Sequence, residues 1–195
     1  MMTFNQCLEP LQRSGIRKFT NLAKTVPSCA MLTIGEPDFD TPQPIKDAAI
    51  AALTAGRTHY APNQGVEALR QQISSFETRR GMTCTPEQVL ITAGATGALF
   101  TALMGILNPG DQVIIPTPAF SLYDTITTAA GGVSVPYNLK DSDFQITKEN
   151  LDRLITPKTK AIVLNSPHNP TGTVLSKESL SAVKAAVLGK PIWVI

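Results

Sequence analysis

Three loops rich in glycine, proline and asparagine each follow a short apolar run, and each carries groups suited to holding part of a ligand. The first, ITAGATGA (residues 91–98), places Gly94, Ala95 and Thr96 at the expected junction of a strand and a helix. Backbone N–H groups and the helix dipole make such a junction a site for anions. The segment therefore indicates a phosphate or carboxylate site, although glycine needed only for tight packing also explains it.

The second loop, PTPAFSLY (residues 116–123), is stiffened by two prolines that restrict its backbone. It would hold Phe120 as a flat ring at the carboxyl end of a strand, where open α/β sheets bind ligands. A ring at that place can stack on a planar cofactor. The spacing of Phe120 and Tyr123 fits two core residues at the start of a helix equally well, so both interpretations stand.

The third loop, NSPHNPTG (residues 165–172), combines two asparagines, two prolines and a glycine. The side-chain amides of Asn165 and Asn169 can donate hydrogen bonds to a ligand oxygen, and the prolines restrict the loop that presents them. A simple turn explains the glycine and the prolines but not the asparagines beside them. His168 has no evident partner that would make it a general base, and we expect an exposed loop histidine.

Apolar runs alternate with helix-like segments from residue 86 onward, which is typical of an α/β sheet whose strands are joined through helices. The loops that follow such strands meet at one edge of the sheet. An anion site, a ring and amide donors at one edge together predict a site for a phosphorylated aromatic cofactor. We predict strands at 88–92, 112–115, 133–136, 161–164 and 192–195, and helices at 45–55, 66–80, 95–107, 119–129, 148–155 and 177–188.

Helix caps support several of these boundaries. Thr85 stands three residues before Gln88, Ser176 precedes the helix predicted at 177–188, and Gly81 follows two arginines at the end of another helix. The first 44 residues differ, because prolines interrupt any long helix there, and we interpret them as an arm and part of a smaller domain. Residues 45–195 are expected to form the first portion of a larger domain that is cut short at its last strand.

Composition excludes several classes of protein. The chain of 195 residues has 43% hydrophobic and 16% charged residues, with 17 basic and 15 acidic side chains and no basic run. We therefore expect a globular protein that binds neither nucleic acid nor membrane and resides in the cytosol. Three widely spaced cysteines outside any CxxC pair indicate neither a disulfide framework nor a metal site.

The chain resembles the class I/II aminotransferases, which are fold-type I enzymes dependent on pyridoxal 5'-phosphate, and within them the aspartate and aromatic branch. The resemblance covers residues 13–195 and rests on five motifs in order: LTIGEPDFDTP (32–42), HYAPNQGVEALR (59–70), ITAGATGALF (91–100), PTPAFSLY (116–123) and NSPHNPTG (165–172). It implies a mainly parallel sheet sandwiched by helices, of which this chain holds the N-terminal half.

The resemblance also implies roles for the residues of the motifs. Gly94, Ala95 and Thr96 would form the phosphate cup, Phe120 would stack on the pyridine ring, and Asn169, with Asn165 nearby, would donate to the 3'-oxygen. Gly35 would lie beside the substrate α-carboxylate. Tyr60 would reach across a homodimer interface to the cofactor phosphate of the neighbouring subunit. Ser121 departs from the proline that many relatives carry after the aromatic residue, which affects the pose of the ring.

Three groups that the family needs are expected to lie beyond residue 195: the Schiff-base lysine, an aspartate for the pyridine nitrogen and an arginine for the substrate carboxylate. Lys177 sits in a sequence similar to the lysine motif, but it follows Ser176 at a predicted helix start, where it is expected to be solvated. The leading hypothesis is thus an aminotransferase that moves an amino group from an amino acid to a 2-oxo acid, present here as an inactive half. The alternative is a non-catalytic cofactor-binding or interaction protein derived from the same fold.

Overall fold

Parallel strands form the centre of the C-terminal part of the chain in the computed structural model, which describes residues 3, 5–11 and 15–195. The strands are β1 (Gln112–Thr117), β2 (Val133–Asn138), β3 (Thr159–Ile162) and β4 (Trp193–Val194). Within the described residues the strand order is β2-β1-β3-β4, and every neighbouring pair is parallel. Ladder hydrogen bonds continue past β3, since Leu164 N donates to Ile195 O at 2.7 Å.

Helices join these strands and precede them along the chain. Their bounds are α1 (Gly15–Ala23), α2 (Gln43–Thr54), α3 (Glu67–Arg79), α4 (Gly94–Ile106), α5 (Leu122–Ala129), α6 (Lys148–Leu154) and α7 (Lys177–Val187). The chain forms two units: one contains the described residues of 14–93, and the other contains those of 94–195 with those of 1–13.

Strand residues alternate between two buried clusters, which shows that both faces of the sheet are covered. Val113 and Ile115 of β1 pack with Leu103 of α4, in a cluster that α5 also joins. Ile114, between them, points to the other face and packs with Leu151 of α6 in a cluster that includes α7. Successive side chains of a strand point to opposite faces, so a continuous apolar run such as β1 requires helices on both sides.

The helices and strands predicted from residue 95 onward are confirmed, with bounds that differ by up to three residues. The strand predicted at 88–92 is wrong. A 3₁₀ helix (Pro86–Gln88) occupies its start, and extended backbone without a ladder partner among the described residues follows. Ile91 N donates one hydrogen bond, to Gln64 O at 3.0 Å. An apolar run favours extended backbone, but a strand exists only where a neighbouring chain segment supplies the ladder.

The unit of residues 14–93 contains α1, α2 and α3. Helix α1 lies within the segment that we interpreted as an arm, and it was missed. Ile16, Phe19 and Leu22 recur at three-residue spacing there, which is a helix pattern, and no proline stands between Pro10 and Pro27. In α3, the buried Ser74 hydroxyl donates to Cys84 O at 2.6 Å and ties the helix to the segment after it.

Candidate functional site

Helix α4 begins at Gly94, in the turn where the sequence predicts an anion site. Gly94 has φ +75°, a backbone conformation that glycine adopts without strain, and no atom lies within 4 Å of the position of an added Cβ. Gly94, Ala95 and Thr96 are all exposed. First-turn N–H groups lack partners within their own helix, and the Thr96 hydroxyl has no hydrogen-bond partner among the described residues. The Thr96 hydroxyl and the exposed backbone of Ala95 are therefore accessible at this turn.

The two aromatic residues that follow β1 differ in burial. Tyr123 is 8% exposed and belongs to the core cluster between α4 and the sheet, and burial raises the pKa of its phenol. Phe120 is 38% exposed, and its ring meets the Tyr123 ring edge-on, with centroids 6.1 Å apart and planes at 89°. The Tyr123 ring thus packs against Phe120, while part of the Phe120 ring remains exposed.

Phe120 lines a cleft of about 300 Å³ at the carboxyl end of β1. That volume lies at the lower end of the range for small-molecule sites. The cleft is also lined by Thr117, Ser121, Asp124 and Ser134 together with apolar residues of the strands. It combines a ring with hydroxyl groups, which suits a ligand that is both planar and polar.

The loop of residues 165–173 uses its two asparagines differently. Asn165 Oδ1 accepts from Asn169 N at 2.7 Å, and Asn165 Nδ2 donates to Pro167 O at 3.2 Å. Both ends of the Asn165 amide are therefore occupied inside the loop. Asn169 is exposed, and its side-chain amide makes no hydrogen bond with the residues that the structure describes. The geometry indicates that Asn165 shapes the loop and that Asn169 is available to a ligand.

The side chain of Gln145 holds the start of α7, just after this loop. Gln145 Oε1 accepts from Ser176 N at 2.9 Å and from the buried Ser179 hydroxyl at 2.8 Å. Ser166 Oγ accepts from Leu175 N at 3.0 Å, which joins the start of the loop to the residues just after it. Sequence reasoning missed Gln145 because it lies 31 residues before its backbone partner, and nothing in its local sequence indicates this contact.

His168 is buried, so the expected exposed loop histidine is wrong. The residue is 5% exposed, and Nδ1 lies 2.8 Å from Thr171 Oγ1. Nε2 is buried without a hydrogen-bond partner among the described residues. Burial lowers the pKa of the imidazole, because a charged ring would lose its hydration. The loop folds back over its own histidine, which sequence spacing alone does not reveal.

Lys177 is the exposed first residue of α7, as predicted. Ser176 caps the helix, since its hydroxyl accepts from Ser179 N at 3.1 Å. The pKa of the neighbouring Glu178 carboxyl is lowered by its own backbone N–H and by the Ser176 hydroxyl. These contacts show an ordinary helix start.

We expect the Ser176→Ala variant to lose about 0.5–2 kcal/mol of the free energy of unfolding, the usual effect of removing an N-cap hydroxyl. Urea denaturation measures the loss. Ser181→Ala, at an exposed position in the interior of the same helix, is the matched control and should change stability by less than about 0.5 kcal/mol. Equal effects of the two substitutions would contradict the capping role.

Gly35 and Tyr60 belong to the unit of residues 14–93 and are described within it alone. Gly35 lies in a segment without regular structure, and Tyr60 is fully exposed. Their roles stay predictions. The described residues contain no group of three or more His, Cys, Asp or Glu side chains arranged to hold a metal ion. Among them, no helix has both the length and the apolar character needed to cross a lipid bilayer.

A parallel sheet covered by helices on both faces defines an α/β protein, and an exposed helix-start turn, a partly exposed ring and an exposed asparagine follow its strands or precede its helices. The family model for aminotransferase class I and II matches residues 27–195, and the chain belongs to that family.

Curated relatives agree with this assignment. The chain is 42% identical over 167 residues to an arginine–pyruvate transaminase of Pseudomonas aeruginosa, covering 85% of this chain and 42% of that protein. It is 46% identical over 154 residues to an aspartate/prephenate aminotransferase of Thermus thermophilus, covering 78% of this chain and 40% of the relative. The chain therefore spans less than half the length of either relative.

Solved structures match the whole chain. The aspartate aminotransferase of Thermus thermophilus with maleate superposes with a TM-score of 0.91 at 36% identity, covering 100% of this chain and 52% of that chain. The aspartate aminotransferase of Rhizobium meliloti gives a TM-score of 0.92 at 32% identity and is covered to 50%. The predicted fold, a type I arrangement of a parallel sheet between helices, is confirmed.

Proposed function

We propose that this chain is the cofactor-binding part of an aminotransferase that transfers an amino group from an amino acid to a 2-oxo acid. Family membership supports the proposal, and so do relatives whose names specify aminotransferase or transaminase activity. One observation supports it most directly. Tyr123 packs in the core and Asn165 bonds within its own loop. Phe120 and Asn169 remain exposed and can contact a ligand.

The residues of the chain fit pyridoxal 5'-phosphate as the cofactor. The exposed turn at Gly94, Ala95 and Thr96 suits a phosphate dianion, because first-turn N–H groups and the helix dipole both favour negative charge. The open part of the Phe120 ring suits stacking on a pyridine ring. The Asn169 amide suits a phenolic oxygen on that ring, to which it would donate a hydrogen bond.

When bound, pyridoxal phosphate supplies an electron-withdrawing ring that stabilises negative charge at the substrate α-carbon. In our proposal, the protein residues described above hold that ring in one orientation: the α4 turn holds the phosphate, Phe120 sets the plane and Asn169 fixes the rotation within the plane. Gly35 would border the substrate carboxylate. Lys177 takes no part, because it is exposed at the start of α7, and we propose that residues 1–195 alone do not catalyse transfer.

The proposal includes a homodimer in which Tyr60 of one subunit contacts the cofactor phosphate of the other. The full exposure of Tyr60 supports this role, since a residue that serves a neighbouring subunit must be free in its own. Leu32 and Phe39, at 91% and 86% exposure, add large apolar surface to the same unit, and such surface is typical of a protein interface. A cytosolic location remains a prediction from composition, and the division into 1–44 and 45–195 remains a prediction from the motifs.

A titration with pyridoxal phosphate tests the proposal. We expect the chain to bind the cofactor and Phe120→Leu to weaken binding about tenfold or more, because stacking on an aromatic side chain contributes roughly 1–3 kcal/mol per ring. Equilibrium dialysis measures the dissociation constants. The matched control is Phe100→Leu, which changes an exposed phenylalanine on α4 and should leave binding within about twofold of the unsubstituted chain.

Absorbance spectra after dialysis, with Lys177→Ala as a second control, test the place of the lysine. An absorbance band that survives dialysis and disappears in Lys177→Ala would show that Lys177 anchors the cofactor and would overturn its assignment as a surface residue. Equal binding by Phe120→Leu and the unsubstituted chain would contradict the proposed site.

A further inference from the structure

We infer that His168, held as the neutral imidazole protonated at Nδ1, is the positioning residue that clamps the 165–173 loop and thereby orients Asn169. The inference deepens the proposed function and rests on it for the link to the cofactor. The clamp itself is a property of the chain without any ligand.

The tautomer follows from counting protons at Thr171. Its hydroxyl donates to Thr173 Oγ1 at 3.0 Å and accepts from Thr173 N at 3.4 Å. A hydroxyl carries a single hydrogen, so in the contact of 2.8 Å with His168 Nδ1 the threonine oxygen accepts. Nδ1 therefore carries a proton, and Nε2 is left with a lone pair in the neutral ring.

The surroundings favour the neutral ring over the imidazolium. His168 helps to line a cavity of about 10 Å³ whose other lining residues include Leu139, Phe144, Ile146 and Leu175. No lining residue is charged. A second N–H at the buried Nε2 would lack an acceptor there, and a buried charge without a partner is unfavourable. The lowered pKa of the imidazole agrees with this geometry.

The main chain of His168 closes the same loop. His168 N donates to Thr173 O at 2.8 Å, and Gly172 N donates to His168 O at 2.7 Å. The ring and the backbone of this residue therefore hold residues 171–173. Asn169 follows directly, and its own N–H is held by Asn165 Oδ1 at 2.7 Å. Asn169 therefore lies between the held residues His168 and 171–173 and has its own N–H bonded, so the backbone that carries its exposed side-chain amide is restrained.

Nitrogen-15 NMR of the imidazole rings in the ligand-free chain tests the tautomer. We expect His168 to show a protonated Nδ1 and an unprotonated Nε2 at neutral pH. The exposed His59 is the internal reference, because it lies outside the 165–173 loop. A proton on Nε2 of His168 at neutral pH would overturn the inference, whatever the cofactor does.

Two substitutions test the clamp. His168→Asn keeps an N–H donor near the position of Nδ1, whereas His168→Gln moves its amide toward the position of Nε2 and loses that donor. We expect amide exchange at Asn169 and Thr173 to be about fivefold faster in His168→Gln, as for one lost hydrogen bond. In His168→Asn exchange should stay close to that of the unsubstituted chain. Equal exchange in the two variants would overturn the clamp.

Binding of pyridoxal phosphate connects the clamp to the site. We expect His168→Gln to weaken binding and His168→Asn to restore it, in parallel with the exchange rates. If the unsubstituted chain binds no pyridoxal phosphate, the proposed function fails while the NMR and exchange results still decide the clamp. If the exchange rates separate the two variants but their affinities are equal, the orienting role of His168 is wrong. Should His168→Gln fail to fold, the ring spectrum and the His168→Asn variant still test the tautomer and the donor.

Discussion

The Leu103→Ala variant should lose about 2–5 kcal/mol of the free energy of unfolding, as expected when a fully buried leucine is truncated and leaves a cavity. Leu103 is 0% exposed and packs from α4 against Val113, Ile115 and Ala161 of the sheet. All of these neighbours lie in secondary structure, so the core has little freedom to close around the missing atoms. The midpoint of urea denaturation measures the loss.

The same variant should also weaken the binding of pyridoxal phosphate. Leu103 anchors the helix whose first turn contains Gly94, Ala95 and Thr96, and a shifted helix would displace those N–H donors. Leu188→Ala is the matched control, because Leu188 is 76% exposed directly after α7. It should change stability by less than about 0.5 kcal/mol. A loss in Leu103→Ala as small as that of the control would contradict the packing of α4 on the sheet.

The Gly65→Ala variant is expected to lose about 2–4 kcal/mol, because it adds overpacking to backbone strain. An added Cβ at Gly65 would lie 2.4 Å from Ile91 Cγ1 and 2.6 Å from Ile91 Cβ. The second contact involves an atom next to the backbone, so rotation of the isoleucine side chain does not relieve it. Gly65 also has φ +97°, which an L-residue adopts only with strain.

Gly56→Ala separates strain from contact. Gly56 lies in the same unit, has φ +69° and has no atom within 4 Å of an added Cβ. It should lose only about 1 kcal/mol, the cost of the left-handed backbone. The free energy of unfolding of both variants is measured by amide hydrogen exchange in α3 at increasing urea concentration. Ile91→Gly removes both Cγ1 and Cβ, so Gly65→Ala combined with Ile91→Gly lacks the clash and should be more stable than the sum of the single effects predicts. Strict additivity would show that Ile91 does not contact Gly65.

The sequence by itself determined those features that depend on residues within one or two turns of each other. The glycine that starts α4 and the serine that caps α7 are both where local rules put them, since a positive φ and an N-cap need only adjacent groups. Continuous apolar runs identified β1 and β3, and five ordered motifs identified the family. The parallel order of the strands follows from short helical connections between them.

Tertiary structure decided the features that depend on residues far apart in the chain. Only packing distinguishes the buried Tyr123 from the half-open Phe120, because their spacing fits two core residues equally well. The segment predicted as a strand at 88–92 is not one, since it begins in a 3₁₀ helix and the described residues place no partner strand beside the rest. His168 is buried because its loop folds back over it. Gln145 contacts Ser176 because the fold brings together two segments that lie 31 residues apart in the chain. The sequence specifies which side chains are polar, but only the tertiary structure decides which of their polar atoms remain exposed to solvent.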